Sequence, residues 1–248
     1  MVIEYDSDYI CCRFPSGGKI QDNQKDDPWH EIHIIADGLS SDPESERGSA
    51  RAVDTAFKTF NGLRRANEGN PNLEEWVEAA INASINAANK AVYEINKVQD
   101  QQGEWLAGKI ARTTIDLVYV HDDWLYAAHA GDGRIYLLDD NKKLVQLTRD
   151  HVSDGGLTCM LGCYEQMKGH EIIKRNIAGY SKILLATDGL YKLFGDEALA
   201  QMISGEGTAK YILSEITDAA KHKSKKDPFE SRDDITGILI IRKGGGAK

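Results

Sequence analysis

Along the chain, apolar residues switch between two spacings. From Asn72 to about Val98 they recur three and four apart, at Leu73, Trp76, Val77, Ala80, Ile81, Ile85, Ala88, Val92 and Ile95. One apolar stripe of that length predicts a long amphipathic helix, and Pro71 stands just ahead of it, where helices commonly begin. Residues 44–62 repeat the spacing, with Val53, Phe57 and Phe60 on one side, and predict an earlier helix. Before that, EIHIIADG is an apolar strand running into Asp-Gly. The first ~30 residues mix short apolar pieces with the turn formers SGGK and QDNQKDDP, which predicts a strand or two plus a polar loop.

Past the polar linker QDQQGE the period shortens. TTIDLVYV, DWLYAAHA, RIYLL, KLVQL, EIIKR and KILLA predict strands, separated by turn signals such as HDD, GDG and DDNKK. Helical spacing returns in LYKLF, DEALAQMI and TAKYILSEITDAAKH, and ITGILIIR is a closing strand. The lysine-rich KHKSKKDP and the end KGGGAK have the composition of solvated segments. This order predicts an α+β fold with helices covering a sheet. A single domain over 1–242 and a flexible tail over 243–248 are expected.

Charge narrows the partners. The 248 residues carry a net charge of −9, a sign that repels phosphate backbones and argues against nonspecific nucleic-acid binding. No apolar run approaches the ~18 residues of a membrane span, and the opening MVIEYDSD is acidic, so a cytoplasmic protein without a membrane segment is expected. Cys11, Cys12, Cys159 and Cys163 are too few for a disulfide scaffold, and Cys159 and Cys163, with no second pair at zinc spacing, read as reduced core thiols. No GxSxG, P-loop or GxGxxG is present, which removes support for a serine hydrolase, a P-loop NTPase or a dinucleotide enzyme.

The informative feature is a recurrence. Four apolar strands meet aspartate: IIADG (Asp37), AAHAGDG (Asp132), LLATDG (Asp188) and RDDITGILII (Asp233, Asp234). A carboxylate at the end of a buried strand is partly desolvated, which is unfavourable unless a cation or hydrogen bonds compensate. Converging at one sheet edge, such groups would form a hard-oxygen site suited to Mg²⁺ or Mn²⁺. Each Asp-Gly alone is equally well a common turn, and Asp132 in HAGDGRIY serves as a plain hairpin. His129 reads as a hydrogen-bonded core residue and His151 as a supporting one.

Together these segments resemble the metal-dependent PPM phosphatases (protein phosphatase 2C type), which remove phosphate from serine and threonine. The likeness runs from about Gly17 to Arg242 in the family's order: IIADGLSS with ERGSARAV, ARTTIDLVYV, LYAAHAGDGRIYLL with LVQLTRDHV, ILLATDGLYKLF, and RDDITGILII. The resemblance implies a central β-sandwich of mainly antiparallel sheets flanked by pairs of α-helices. It also implies a binuclear Mn²⁺ or Mg²⁺ site at one end. Asp37 would bridge two metals, Gly38 would give its carbonyl, and Asp188 and Asp233 would complete the first metal. Asp132, with Asp188, would hold a third and more labile ion. Two ions ~3.5–4 Å apart would activate a bridging water for in-line attack on phosphorus, with no protein nucleophile.

Departures from the family pattern fall at the phosphate end. Its N-terminal signature, Arg-x-x-Asn-(Glu/Gln)-Asp, falls on Ile20-Gln21-Asp22-Asn23-Gln24-Lys25, so the arginine becomes Ile20 and the last aspartate Lys25. After a slip of register, Lys19 would supply the charge and Asp22 or Asp26 the carboxylate. Lysine lacks arginine's bidentate fork. Arg112 replaces the glycine before Thr-Thr, either as an alternative phosphate ligand or, preferably, as a surface residue. Gly133 replaces serine and Asp234 asparagine. Only VSDGG stands where many relatives carry a flap, and Leu39 follows Asp37-Gly38, as in the bacterial branch.

The expected function is metal-dependent hydrolysis of phosphoserine and phosphothreonine by a monomer, opposed to a Ser/Thr kinase. The alternative is a catalytically weak or inactive phosphatase-like module that binds a partner. A hydrolase of small phosphoesters or nucleotides is a more remote reading.

Overall fold

The computed structural model describes residues 4–13, 19–29, 31–70, 72–97, 110–226 and 233–243. Pro71, the QDQQGE linker, most of SGGK, the end of the lysine-rich loop and all of the tail but Lys243 lie outside the described residues.

Strands of nearly continuous apolar character need cover on both faces, and here both are covered. Two five-stranded antiparallel sheets lie face to face. One has the order β1-β12-β11-β6-β7, from β1 (Tyr5–Arg13), β12 (Asp234–Arg242), β11 (Tyr180–Ala186), β6 (Arg134–Asp139) and β7 (Leu144–Gln146). The other has the order β10-β5-β4-β3-β2, from β10 (Glu171–Asn176), β5 (Trp124–Ala130), β4 (Ile115–His121), β3 (Ile32–Ala36) and β2 (Asn23–Asp27). A small hairpin of β8 (Val152–Ser153) and β9 (Gly156–Leu157) occupies VSDGG, where no strand was predicted because two residues carry no readable period.

Successive strand residues point to opposite faces, so each strand feeds two cores. In β11, Ile183 and Leu185 enter the core between the sheets, with Ile135, Leu137, Ile238 and Ile240 of the same sheet and Val118, Val120 and Leu125 of the other. Leu184 and Ala186 face outward, under α3 (Asp188–Phe194), α4 (Asp196–Ile203) and α5 (Ala209–Lys226). On the opposite side α1 (Ser45–Ala66) and α2 (Leu73–Asn96) cover Ile34, Leu117, Tyr119 and Ala128. The predicted stripe of α2 is buried at Val77, Ala80, Ile81, Ile85, Ala88, Val92 and Ile95. The result is a helix–sheet–sheet–helix sandwich, as the resemblance implied.

Phe60 anchors the α1–α2 layer, fully buried with ring centroids 5.1 Å from Tyr119 and 6.3 Å from Trp76. Truncating a packed aromatic leaves a cavity, and Phe60→Ala is expected to cost about 3–5 kcal/mol in denaturant unfolding. Trp29, 91% exposed, provides the control. Its replacement by alanine is expected to stay within about 0.5 kcal/mol.

Candidate functional site

Antiparallel pairing carries the aspartates to one end of the sandwich. β3 ends at Ala36, which pairs with Asn23 of β2, so Asp37 and Asp22 leave their strands side by side. In the other sheet Ala186, the last residue of β11, pairs with Gly237 of β12 and with Arg134 of β6. Asp188 just after β11, Asp233 just before β12 and Asp132 just before β6 therefore share that edge. The two sheets are joined there by the Thr187 hydroxyl, which donates to Asp22 Oδ2 at 3.0 Å.

Asp37 and Asp132 are held through their backbones. The Asp37 N–H donates to Thr114 Oγ1 at 3.0 Å, and its carbonyl accepts from the Thr113 hydroxyl at 2.8 Å and the Thr114 N–H at 2.9 Å. That is what the Thr-Thr pair contributes. Gly38 threads a gap in which a Cβ would lie 2.7 Å from the Ser45 carbonyl oxygen and 2.8 Å from that of Gln21, so backbone would have to shift for any other residue. The turn bearing Asp132 is pinned from two sides. His151 donates its N–H to the Gly131 carbonyl at 2.8 Å and accepts the Gly131 N–H on Nδ1 at 3.2 Å. Tyr191 donates its hydroxyl to the Asp132 carbonyl at 3.0 Å.

Burial and mutual repulsion raise Asp22, Asp37, Asp132 and Asp233 above the ordinary carboxylate range. Asp22 is 3% exposed, and its burial pushes it to about 7. Asp37 is raised well above its usual value by burial and then by Asp22, Asp188 and Asp233. Burial, then Asp188, takes Asp132 to about 6, and the same two causes raise Asp233. Oδ1 of Asp22 and Oδ1 of Asp188 are buried without a hydrogen-bond partner. Among the described residues no group of three or more His, Cys, Asp or Glu closes into a metal-ligand shell. The fit to a hard divalent cation rests on the all-oxygen donor set and on those two orphaned oxygens.

Of the two acids that the register slip offers, the fold sets Asp22 beside Asp37. Asp26 points elsewhere, bonded to Ser7 Oγ at 2.9 Å and His33 Nδ1 at 2.6 Å, while the Lys25 ammonium lies over the Phe57 ring. Lys19 pairs with Glu46 at 2.7 Å. Arg112 is neither free nor simply at the surface. Its Nε and Nη2 grip both oxygens of Asp42 at 2.8 and 2.7 Å, and its own N–H adds a third bond at 3.0 Å. Asp234 stands apart from Asp233, accepting from Arg13 Nε at 2.6 Å and the Gln21 N–H at 2.5 Å, which ties the segment before β2 to β12. Gly133 is explained by Asp116, whose Oδ2 lies 1.9 Å from where a Cβ would stand. His129 is fully buried, its Nδ1 bonded to Asp116 at 2.6 Å and its Nε2 donating to the Arg149 carbonyl at 3.0 Å.

Sequence reading missed Lys192, whose ammonium lies 2.5 Å from Asp188 Oδ2. The signal was present, a lysine four residues after an aspartate at a helix start. It also missed Thr187, which nothing local distinguishes from any strand-end threonine.

The sequence profile of protein phosphatase 2C matches residues 16–222. The chain therefore belongs to the protein phosphatase 2C family, a class of protein serine/threonine phosphatases. Among curated proteins no sequence match is found. Solved structures share the fold at low identity. PppA, a key regulatory component of the T6SS in Pseudomonas aeruginosa, is 18% identical with a TM-score of 0.79, over 98% of this chain and 99% of that one. The serine/threonine phosphatase Stp1 from Staphylococcus aureus is 18% identical with a TM-score of 0.78, over 98% and 96%. The catalytic domain of the phosphatase PstP, solved with two manganese ions, is 18% identical with a TM-score of 0.72, over 98% and 99%.

An acid whose folded pKa is raised binds more protons folded than unfolded, so it lowers stability as pH rises through the interval between the two values. With Asp22 raised to about 7 and Asp132 to about 6, the chain in EDTA is expected to lose melting temperature between about pH 5 and pH 8. Mn²⁺ is expected to raise the melting temperature more at the upper end of that range, where the carboxylates are free of protons. Differential scanning calorimetry at the two pH values, with and without the ion, checks both signs.

Proposed function

We propose that the chain hydrolyses phosphoserine and phosphothreonine in protein substrates at a binuclear Mn²⁺ or Mg²⁺ centre. The observation that carries this reading is five aspartates, Asp22, Asp37, Asp132, Asp188 and Asp233, gathered at one edge of a protein phosphatase 2C fold, two of them with buried, unpartnered oxygens. Asp37 would bridge the ions, the Gly38 carbonyl, Asp188 and Asp233 would complete the first, and Asp22 would support the second. The ions, when bound, supply a water of lowered pKa and positive charge opposite the phosphoryl oxygens.

The chain's own part is positional. Thr113 and Thr114 fix the backbone of Asp37, and Thr187 holds Asp22 against the opposite sheet. Burial and the neighbouring acids raise Asp132 and Asp233, so positive charge held among them would favour their ionised forms, and the cluster favours a loaded site over bare carboxylates. The short β8–β9 hairpin leaves substrate choice to other surfaces of the cleft. The two-manganese PstP structure supports the metal count by likeness of fold.

A catalytically weak, partner-binding form of the same fold is the second reading. It is favoured by Lys19 and Arg112 both being paired with other carboxylates, Glu46 and Asp42.

Phosphate release from p-nitrophenyl phosphate and a phosphothreonine peptide, in Mn²⁺, Mg²⁺ and EDTA, separates the two readings. Metal-dependent turnover is expected, and Asp188→Ala is expected to lower kcat by more than ~100-fold, beyond the usual cost of losing an outer-shell partner. A folded chain that turns over neither substrate with either metal would establish the binding module.

A further inference from the structure

Lys192 is a second-turn residue of the short helix that begins with Asp188, and its ammonium lies 2.5 Å from Asp188 Oδ2. The two oxygens of that carboxylate thus have different surroundings. Oδ1 is buried and unpartnered, and Oδ2 faces the lysine. The side chain of Lys192 is 62% exposed and that of Asp188 is 13% exposed, so the ammonium sits on the outer side of the cluster, at the mouth of a cleft of about 380 Å³ lined also by Phe194, Lys223 and Asp233. Asp132 belongs to the same corner. The hydroxyl of Tyr191, the residue just before Lys192, holds the Asp132 carbonyl.

We propose that Lys192 is a resident cation that fills the Asp132/Asp188 corner, so that the site holds two metal ions and admits none there. The inference rests on the binuclear reading above. A divalent ion on Asp188 Oδ2 would have to displace the ammonium that lies 2.5 Å from it, and two cations exclude each other there by size and by charge. Asp132 then acts as a positioning residue for the lysine rather than as a metal ligand.

Calorimetric titration of the full chain with Mn²⁺, counted per chain and carried to millimolar metal, tests the assignment. The native protein is expected to bind two ions and no more. Lys192→Asp is expected to gain one further, weaker ion, and Asp132→Ala added to Lys192→Asp is expected to lose it again. Asp132→Ala alone is expected to leave the count at two. A native chain that takes a third ion dependent on Asp132 would overturn the proposal, as would Lys192→Asp remaining at two with its circular dichroism and melting unchanged. A native chain binding fewer than two ions is a different result. It would overturn the binuclear reading itself, and this inference with it.

Discussion

Everything at the functional end of this protein depends on holding like charges together where water is scarce. Asp22, Asp37, Asp132, Asp188 and Asp233 come from both sheets, and burial raises four of them above the ordinary carboxylate range. Such a cluster opposes folding and persists only if the surrounding scaffold is stiff. The scaffold here is a sandwich whose strands are buried on both faces, with helices closing each side. The cores lie along the strands, and the strain is confined to the strand ends.

Hydrogen bonding to the backbone, rather than ion pairing, sets the geometry at that edge. Thr113, Thr114 and His151 bond the main chain of the segments that carry Asp37 and Asp132 rather than their carboxylates. The charged pairs stand one step back. Arg13 with Asp234, Arg112 with Asp42 and Arg134 with Asp150 each fasten a loop that borders the site. Lys192 is the exception, an ammonium bonded directly to one of the clustered acids.

The departures from the family's pattern fall into place when read as pairs. Gly133 and Asp116 go together, because the carboxylate occupies the volume a serine side chain would need. Asp234 and Arg13 are register partners on β12 and β1, so an acid where the family has asparagine meets a cation directly across the ladder. Arg112 in place of glycine is matched by Asp42 four residues beyond Gly38. Each of these three substitutions, which look like erosion of a motif in one dimension, is answered by a neighbour distant in sequence.

How much of this was legible in the chain follows from the range of the forces involved. Periodicity is local, so the long helices, the strands from β3 to β7, β11 and β12 were readable within a few residues, while the two-residue strands of the β8–β9 hairpin were not. Asp37, Asp188, Asp132 and Asp233 announced themselves because a carboxylate beside an apolar strand is locally anomalous. Asp22 did not, since it sits in a polar run where any of several acids could serve, and only the pairing of Asn23 with Ala36 set it beside Asp37. The fates of Lys19, Arg112 and Lys192 were likewise undecidable from spacing, because a long flexible side chain takes whichever carboxylate the folded surface brings within reach. Local patterning was enough for the helices, the longer strands and four of the five clustered acids. The tertiary structure alone decided which charges face one another, because ion pairs form across space between residues that the chain keeps far apart.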